Sequence, residues 1–129
     1  MITHIHHINF VVADLDKSVR YFNGLLKQSP VIEELPQRLV KTARFNVGES
    51  LLVLVQPLSN EGVVAEILAQ KGEGIFLLSF ATESIDETLQ KLEIKYLEKR
   101  TGLQGWSICD LAEYDQFGAI LQLTESSKS

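Results

Sequence analysis

The sequence predicts an α+β fold in which two β-α-β-β-β modules form a curved mixed sheet around a cleft. Three observations point there. First, the chain repeats itself at an offset of 70 residues: Asn9 meets Ser79, Phe10 meets Phe80, Leu15 meets Ile85, Asp16 meets Asp86, Val19 meets Leu89 and Gly48 meets Gly118. Past those glycines an offset of 69 fits better and sets Val53 on Gln122. Second, each half reads as one strand, one amphipathic helix and three further strands. Third, 129 residues make one ordinary domain, and one half alone is too small to close a core, so the two sheets are expected to combine.

The elements follow in order. Ile5-His6-His7-Ile8-Asn9-Phe10-Val11-Val12 is a strand by its β-branched and aromatic content. Asp14 reads as an N-cap, with Leu15, Val19 and Phe22 at helical spacing and Gly24 placed to close the helix. Pro30 and Pro36 bracket a short edge strand over Ser29 to Leu35. Leu39 to Phe45 and Leu51 to Val55 form strands about the Asn46-Val47-Gly48-Glu49 turn, and Pro57 ends the first module at about residues 4–57. A linker helix at about 59–72 carries Val64, Ile67 and Leu68 on one side and stops at Gly72. The second module, about 74–125, opens with the strand Ile75 to Phe80. Ser84-Ile85-Asp86-Glu87 is a capping box, and Ile85, Leu89 and Leu92 form the helix stripe behind it. Strands are expected near Lys95–Lys99, Trp106–Leu111 and Ala119–Thr124, with Asp115-Gln116-Phe117-Gly118 turning into the last.

Composition narrows the function. Hydrophobic residues make up 45% and charged residues 22%, a globular balance. The net charge of −5 disfavours nucleic acid and anionic membranes as partners. No apolar run approaches the length of a membrane span. The single cysteine, Cys109, excludes an internal disulfide and a Cys-rich metal site. With no basic n-region and apolar h-region at the N-terminus, a cytoplasmic location is expected.

Five segments then carry a resemblance. They are His7 to Val12 followed by Asp14 to Phe22, Leu54-Val55-Gln56-Pro57, Gly74 to Phe80, and Phe117 to Glu125. In order and spacing they resemble the vicinal oxygen chelate superfamily of glyoxalases, bleomycin-resistance proteins and methylmalonyl-CoA epimerases, with the epimerase and glyoxalase branch nearest. The resemblance implies a glyoxalase-like fold, a homodimer and a cleft in which four side chains hold a divalent metal. Carried over, those positions fall on His7, Val53, Leu77 and Gln122. Val53 and Leu77 have no lone pair to give, and Gln122 is a neutral amide where the family most often has Glu. One imidazole and one amide do not offset an ion's dehydration, so no cofactor is expected. The apolar substitutions suggest instead an oily small-molecule site with a few polar groups.

The candidate ligand-binding residues are His7, Asn9, Lys41, Val53, Leu77, Ser79 and Gln122. His7 and Asn9 share a strand face by period two; they either hold a carbonyl or carboxylate, with His7 the candidate acid or base, or bond internally. Gln122 either anchors a ligand or bonds His7. Lys41 falls where the epimerase branch carries a catalytic glutamate. With Arg38 and Arg44 it forms a basic stretch that reads either as a site for an acidic group or as a solvated strand. His4 and His6, opposite His7, either chelate zinc as an i, i+2 pair or serve in packing or a subunit contact. Trp106 and Tyr114 either roof the cleft or fill the core, and Cys109 reads as inert. Gly72-Glu73-Gly74 is not a phosphate loop, because a strand follows it.

Three functions compete. The first is metal-free binding of a small, acidic organic molecule. The second is a lyase or isomerase resembling lactoylglutathione lyase or methylmalonyl-CoA epimerase, with His7 as base and Lys41 or Asn9 at the oxyanion. The third is an interaction module with a filled, ligandless core. The first is the preferred expectation.

Overall fold

The structure is a computed structural model and describes residues 1–91, 99–102, 105–111 and 117–126. Its elements run β1 (Ile2–Val11), α1 (Leu15–Leu26), β2 (Val31–Leu35), a 3-10 turn (Pro36–Arg38), β3 (Val40–Val47), β4 (Ser50–Pro57), α2 (Val63–Lys71), β5 (Gly74–Thr82), α3 (Ile85–Lys91), β6 (Arg100–Thr101), β7 (Ser107–Asp110) and β8 (Ile120–Glu125). The expected succession of strand, helix and three strands therefore occurs twice. The chain divides into two compact units, Ile8–Phe76 and Met1–His7 with Leu77–Ser129. β1 and β5 each contribute to both.

In the Ile8–Phe76 unit the strand order is β2-β3-β4-β1, with β2 at the edge where its flanking prolines placed it. β2 pairs antiparallel with β3, and β3 with β4 in the register Ala43↔Leu54 and Phe45↔Leu52. These four residues share the face that meets α1. Ala43, Phe45 and Leu54 are fully buried there with Val12 and Leu15, and Phe10, Val19, Phe22 and Leu26 pack around them. Two side chains cap α1. Asp14 Oδ1 accepts from Lys17 N at 3.1 Å, as its sequence position suggests, and Gln56 Oε1 of β4 accepts from Leu15 N at 2.7 Å. The helix passes Gly24 and ends at Leu26, because Leu26 still has apolar cluster to cover. Lys27 then takes the left-handed conformation, φ 57°, and its N–H closes on Asn23 O. A left-handed Leu39, φ 58°, ends the 3-10 turn that opens at Pro36, a break the sequence pattern did not announce.

In the other unit the order is β1-β5-β8-β7-β6. β5 and β8 are parallel and β8 and β7 antiparallel, so the sheet is mixed. Ile85, Cys109 and Leu123 are fully buried beneath α3, with Phe80, Leu89 and Leu111 around them. Ser84 caps α3 by accepting from Glu87 N at 3.2 Å. Glu125 Oε1, from β8, takes the Ile85 N–H at 2.8 Å, the same cross-sheet capping that Gln56 performs in the first unit. The strand expected near Lys95–Lys99 falls mostly outside the described residues, as do Leu92, Tyr114, Asp115 and Gln116.

Candidate functional site

Strand alternation sorts the candidate residues. In the unit containing β5 and β8, Phe80, Leu123 and Cys109 face α3, so Leu77, Ser79, Gln122 and Thr124 occupy the opposite face. The register sets Ser79, Gln122 and Asp110 side by side across β5, β8 and β7. A polar chain links them. The Ser79 and Thr124 hydroxyls bond each other, and Thr124 Oγ1 donates to Gln122 Oε1 at 3.4 Å. Gln122 Nε2 donates to Asp110 Oδ1 at 2.8 Å, and Arg100 Nη2 donates to Asp110 Oδ2 at 2.8 Å. Ser79, Thr124 and Gln122 are all buried. Gln122 thus bonds Asp110 and Thr124, where the sequence left His7 open as its partner. Asp110 itself was missed. Its signal was there: it lies one hairpin from Gln122 on a strand whose alternate residues, Ile108 and Asp110, face the same way.

His7 is buried in the same unit, and so is His6. Their Nδ1 atoms lie 2.9 Å apart, and His6 Nε2 is 3.1 Å from Ser126 Oγ. Trp106 packs on both rings. Its centroid is 5.6 Å from that of His7 at an interplanar angle of 24°, and 4.5 Å from that of His6, edge to face. His6 thus packs against Trp106 and His7 within this unit. Burial, and then the neighbouring His6, push the His7 imidazole down from 6.5 to about 4. Burial, and then His4, lower His6 as well. Both rings are therefore neutral at pH 7, and one Nδ1–H is shared between them.

These residues do not suit a divalent ion. His7 meets His6 through Nδ1 and has Nε2 left as a single donor to a metal, but Leu77 offers hydrocarbon and the neutral Gln122 amide is engaged by Asp110 and Thr124. Among the described residues no group of three or more His, Cys, Asp or Glu side chains is arranged to hold a metal. This unit thus brings together a neutral imidazole pair, an indole, a buried amide and the hydrocarbon of Leu77.

The remaining candidates lie in the Ile8–Phe76 unit. Val53 is buried on the face of β4 away from α1, opposite to Leu52 and Leu54. Asn9 occupies the corresponding face of β1, opposite to Phe10 and Val12. Lys41 does not share it. The register pairs Lys41 with Gln56, on the α1 side with Ala43 and Phe45. The cation on the Val53 face is Arg44, paired across the strands with Val53 itself and bonded through Nη2 to Glu33 Oε1 at 2.6 Å. Arg38 is exposed in the 3-10 turn. The basic stretch therefore spreads over three environments, and its only cation on this face is already met by a carboxylate. The basic stretch thus offers an acidic ligand no cation on this face beyond Arg44. The same unit holds an open cavity of about 470 Å³, between Ala13, the segment Pro57 to Asn60 and the α2 residues Ala65 and Leu68.

Residues 4–107 match the family described as the Glyoxalase/Bleomycin resistance protein/Dioxygenase superfamily. The chain is similar to the uncharacterized protein YqjC of Bacillus subtilis, with 24% identity over 94% of this chain and 91% of that one. Among solved structures it resembles the hypothetical protein BH1468 of Bacillus halodurans, at 27% identity and a TM-score of 0.84 over 97% of this chain and 95% of that one. It also resembles a methylmalonyl-CoA epimerase variant of Streptomyces coelicolor, solved in complex with 2-nitronate-propionyl-CoA. There the identity is 26%, the TM-score 0.81 and the coverage 99% of this chain and 100% of that one.

Proposed function

We propose that this chain, which belongs to the Glyoxalase/Bleomycin resistance protein/Dioxygenase superfamily, binds a small organic molecule without a resident divalent metal. The observation that carries this reading is the donor set. Two of the four positions at which the resemblance expects metal ligands, Val53 and Leu77, are buried hydrocarbon, and a third, Gln122, spends its amide on Asp110 and Thr124. His7, Leu77, Ser79 and Gln122 form the binding face in the unit of β5 and β8, with Trp106 stacked on His7 as a flat apolar wall. The neutral imidazoles and the indole bind without demanding charge from the ligand.

The test is elemental analysis of the native protein together with mass spectrometry of whatever small molecule it carries after gentle purification. The expected result is substoichiometric zinc, nickel, cobalt and manganese. A stoichiometric metal that survives dialysis would falsify the reading.

A second reading is isomerase or lyase chemistry, favoured by the end-to-end likeness to the Streptomyces coelicolor epimerase. In it a base removes a proton next to a carbonyl. His7 is poorly matched to that role here, because an imidazole whose conjugate acid has a pKa of about 4 has little driving force to take a carbon-bound proton. Proton–deuterium exchange at the α-carbon of methylmalonyl-CoA in heavy water decides between the two. Exchange that depends on His7 selects the enzyme.

A further inference from the structure

The helix α2 is apolar and yet unburied. Val63, Val64, Ala65, Ile67, Leu68 and Ala69 make up six of its nine residues, and none of the nine is fully buried. By contrast, α1 buries Leu15 and α3 buries Ile85. The open cavity of about 470 Å³ lies along the face that Ala65, Leu68 and Ala69 share by helical spacing. Across it stand Ala13, just past the end of β1, and the segment Pro57 to Asn60, which leaves β4. Small side chains on both walls leave the room, and Leu68, Leu58 and Pro57 make its surface largely hydrocarbon. The volume falls within the roughly 300–1,000 Å³ of small-molecule sites. All of it belongs to the Ile8–Phe76 unit, and none of it is among the positions at which the resemblance expects metal ligands.

The rim carries charge of one sign. Gly72 ends α2 at φ 79°, a conformation that favours glycine, and its N–H closes on Leu68 O. The chain then turns so that Glu73 Oε2 accepts from Ala13 N at 2.8 Å. An exposed carboxylate is thereby clasped to a residue that lines the cavity, and it keeps further lone pairs for a donor. Asp14 adjoins Ala13, and Glu61 and Glu66 flank the other wall. Among the described residues none of these four carboxylates enters an ion pair. In the segments 13–17 and 57–73, Asp14, Asp16, Glu61, Glu66 and Glu73 stand against Lys17 and Lys71 alone, so more than half of the chain's net charge of −5 gathers there.

The two features together define the occupant. Uncovered hydrocarbon on α2 calls for an apolar body, since covering it removes apolar surface from water. The surrounding carboxylates repel an anion and attract a cation. We propose that the cavity beneath α2 is a binding site for a protonated amine on a compact hydrocarbon body, with the body against Ala13, Ala65 and Leu68 and the ammonium at Glu73. This goes beyond the reading above, because it assigns a second site, on other residues, and fixes the sign of its ligand's charge. Glu73, which sequence reading set aside with the rejected phosphate loop, becomes the residue that selects a cation.

The test uses the full chain and three probes of similar shape: cyclohexylmethylamine, cyclohexanemethanol and cyclohexanecarboxylate. Binding is followed by NMR at the methyl groups of Ala65 and Leu68. The amine, protonated at pH 7, is expected to shift both saturably in the millimolar range, which suits so small a ligand. The alcohol is expected to bind about fivefold more weakly, the scale of one solvent-screened ion pair, and the carboxylate more weakly again. Added salt should narrow these differences. Glu73→Gln keeps an oxygen for the Ala13 N–H and removes the charge. It should bring the amine to within about twofold of the alcohol and leave the alcohol where it was. Ala69→Leu, at an exposed position of α2, narrows the cavity while keeping a good helix former, and should weaken all three probes together. A carboxylate that binds as well as the amine overturns the proposal, as does a Glu73→Gln variant with an undiminished preference for the amine. So does the absence of any saturable shift at Ala65 and Leu68, or an Ala69→Leu variant that binds as before. Shifts at these methyls that follow protein concentration with no probe present assign the face to a second copy, and overturn it too. Shifts confined to His7, Trp106 and Gln122 overturn this site while leaving the broader small-molecule reading in place.

Discussion

The Nδ1 atoms of His6 and His7 lie 2.9 Å apart, a separation that admits one proton between them and not two. Adding a second proton sets two donors face to face in a buried place. Burial is the main reason the His7 imidazole resists protonation until about pH 4, and the facing His6 ring adds to it. The consequence for stability has a definite sign. An unfolded chain protonates this histidine near its ordinary 6.5, while the folded chain does not, so acid favours unfolding. The contribution is complete above about pH 6.5, is lost as the pH falls, and is exhausted near pH 4. The drop corresponds to about 3 kcal/mol. Urea titrations at pH 7 and pH 4.5 should therefore show a marked loss of stability at the lower pH. A His7→Phe variant should show a shallower slope, because the phenyl ring keeps the packing on Trp106 and cannot take a proton. Identical slopes for the two proteins would refute the assignment.

Asp110 gives a second expectation. Its carboxylate takes one bond from Gln122, which is 2% exposed, and one from Arg100, whose side chain is half exposed. Removing the carboxylate leaves a buried amide unpaired, so Asp110→Ala should cost about 1–3 kcal/mol. Arg100→Ala leaves Gln122 satisfied and removes only a solvent-screened partner, so it should cost less than about 1 kcal/mol. Equilibrium denaturation of both variants checks the ranking, and equal losses would mean that the Gln122 bond carries nothing.

The way α1 begins makes a third. Asp14 is legible as a cap from its place before a helical stripe, whereas Gln56 lies 41 residues from the Leu15 N–H it accepts and caps the same turn from β4. Each change to Ala should cost about 1 kcal/mol. The double variant should cost less than the sum if water can serve both freed N–H groups, and more if the turn frays. Thermal melts of the three variants settle this.

The same contrast shows what sequence could reveal. Local signals were sufficient for the elements, because the period of Phe10, Val12, Leu15 and Val19 is written in neighbouring residues. The 70-residue echo of Asn9 in Ser79 and Leu15 in Ile85 was sufficient for the module plan. Cross-strand facts were not local. A single step of register decides that Arg44, and not Lys41, shares the face of Val53, and no neighbouring residue marks that step. Gln122 was found from its family position, but its partner Asp110 depends on the β7–β8 pairing. The His6–His7 bond runs against the alternation rule, which separates adjacent residues of a strand, and only the structure brings the two rings together.

A final prediction concerns the metal. If hydrocarbon and a spent amide are what keep an ion away, restoring donors should bring one in. Leu77→His places an imidazole on the strand next to that of His7, and Gln122→Glu adds the carboxylate that a hard or borderline ion wants. The second change has its own cost, since the new carboxylate faces Asp110 across β7 and β8, where Gln122 now donates at 2.8 Å. Two carboxylates so placed repel each other, so the double variant should melt below the natural chain in a chelator. A bound cation relieves that repulsion and stabilises the folded state alone, by about 2.7 kcal/mol at a hundredfold excess over its dissociation constant. Added nickel or cobalt should thus raise the melting temperature of the double variant by several degrees and leave the natural chain unmoved. A comparable rise in the natural chain would show that it already holds an ion well, and that the apolar residues at 53 and 77 were never the deciding feature.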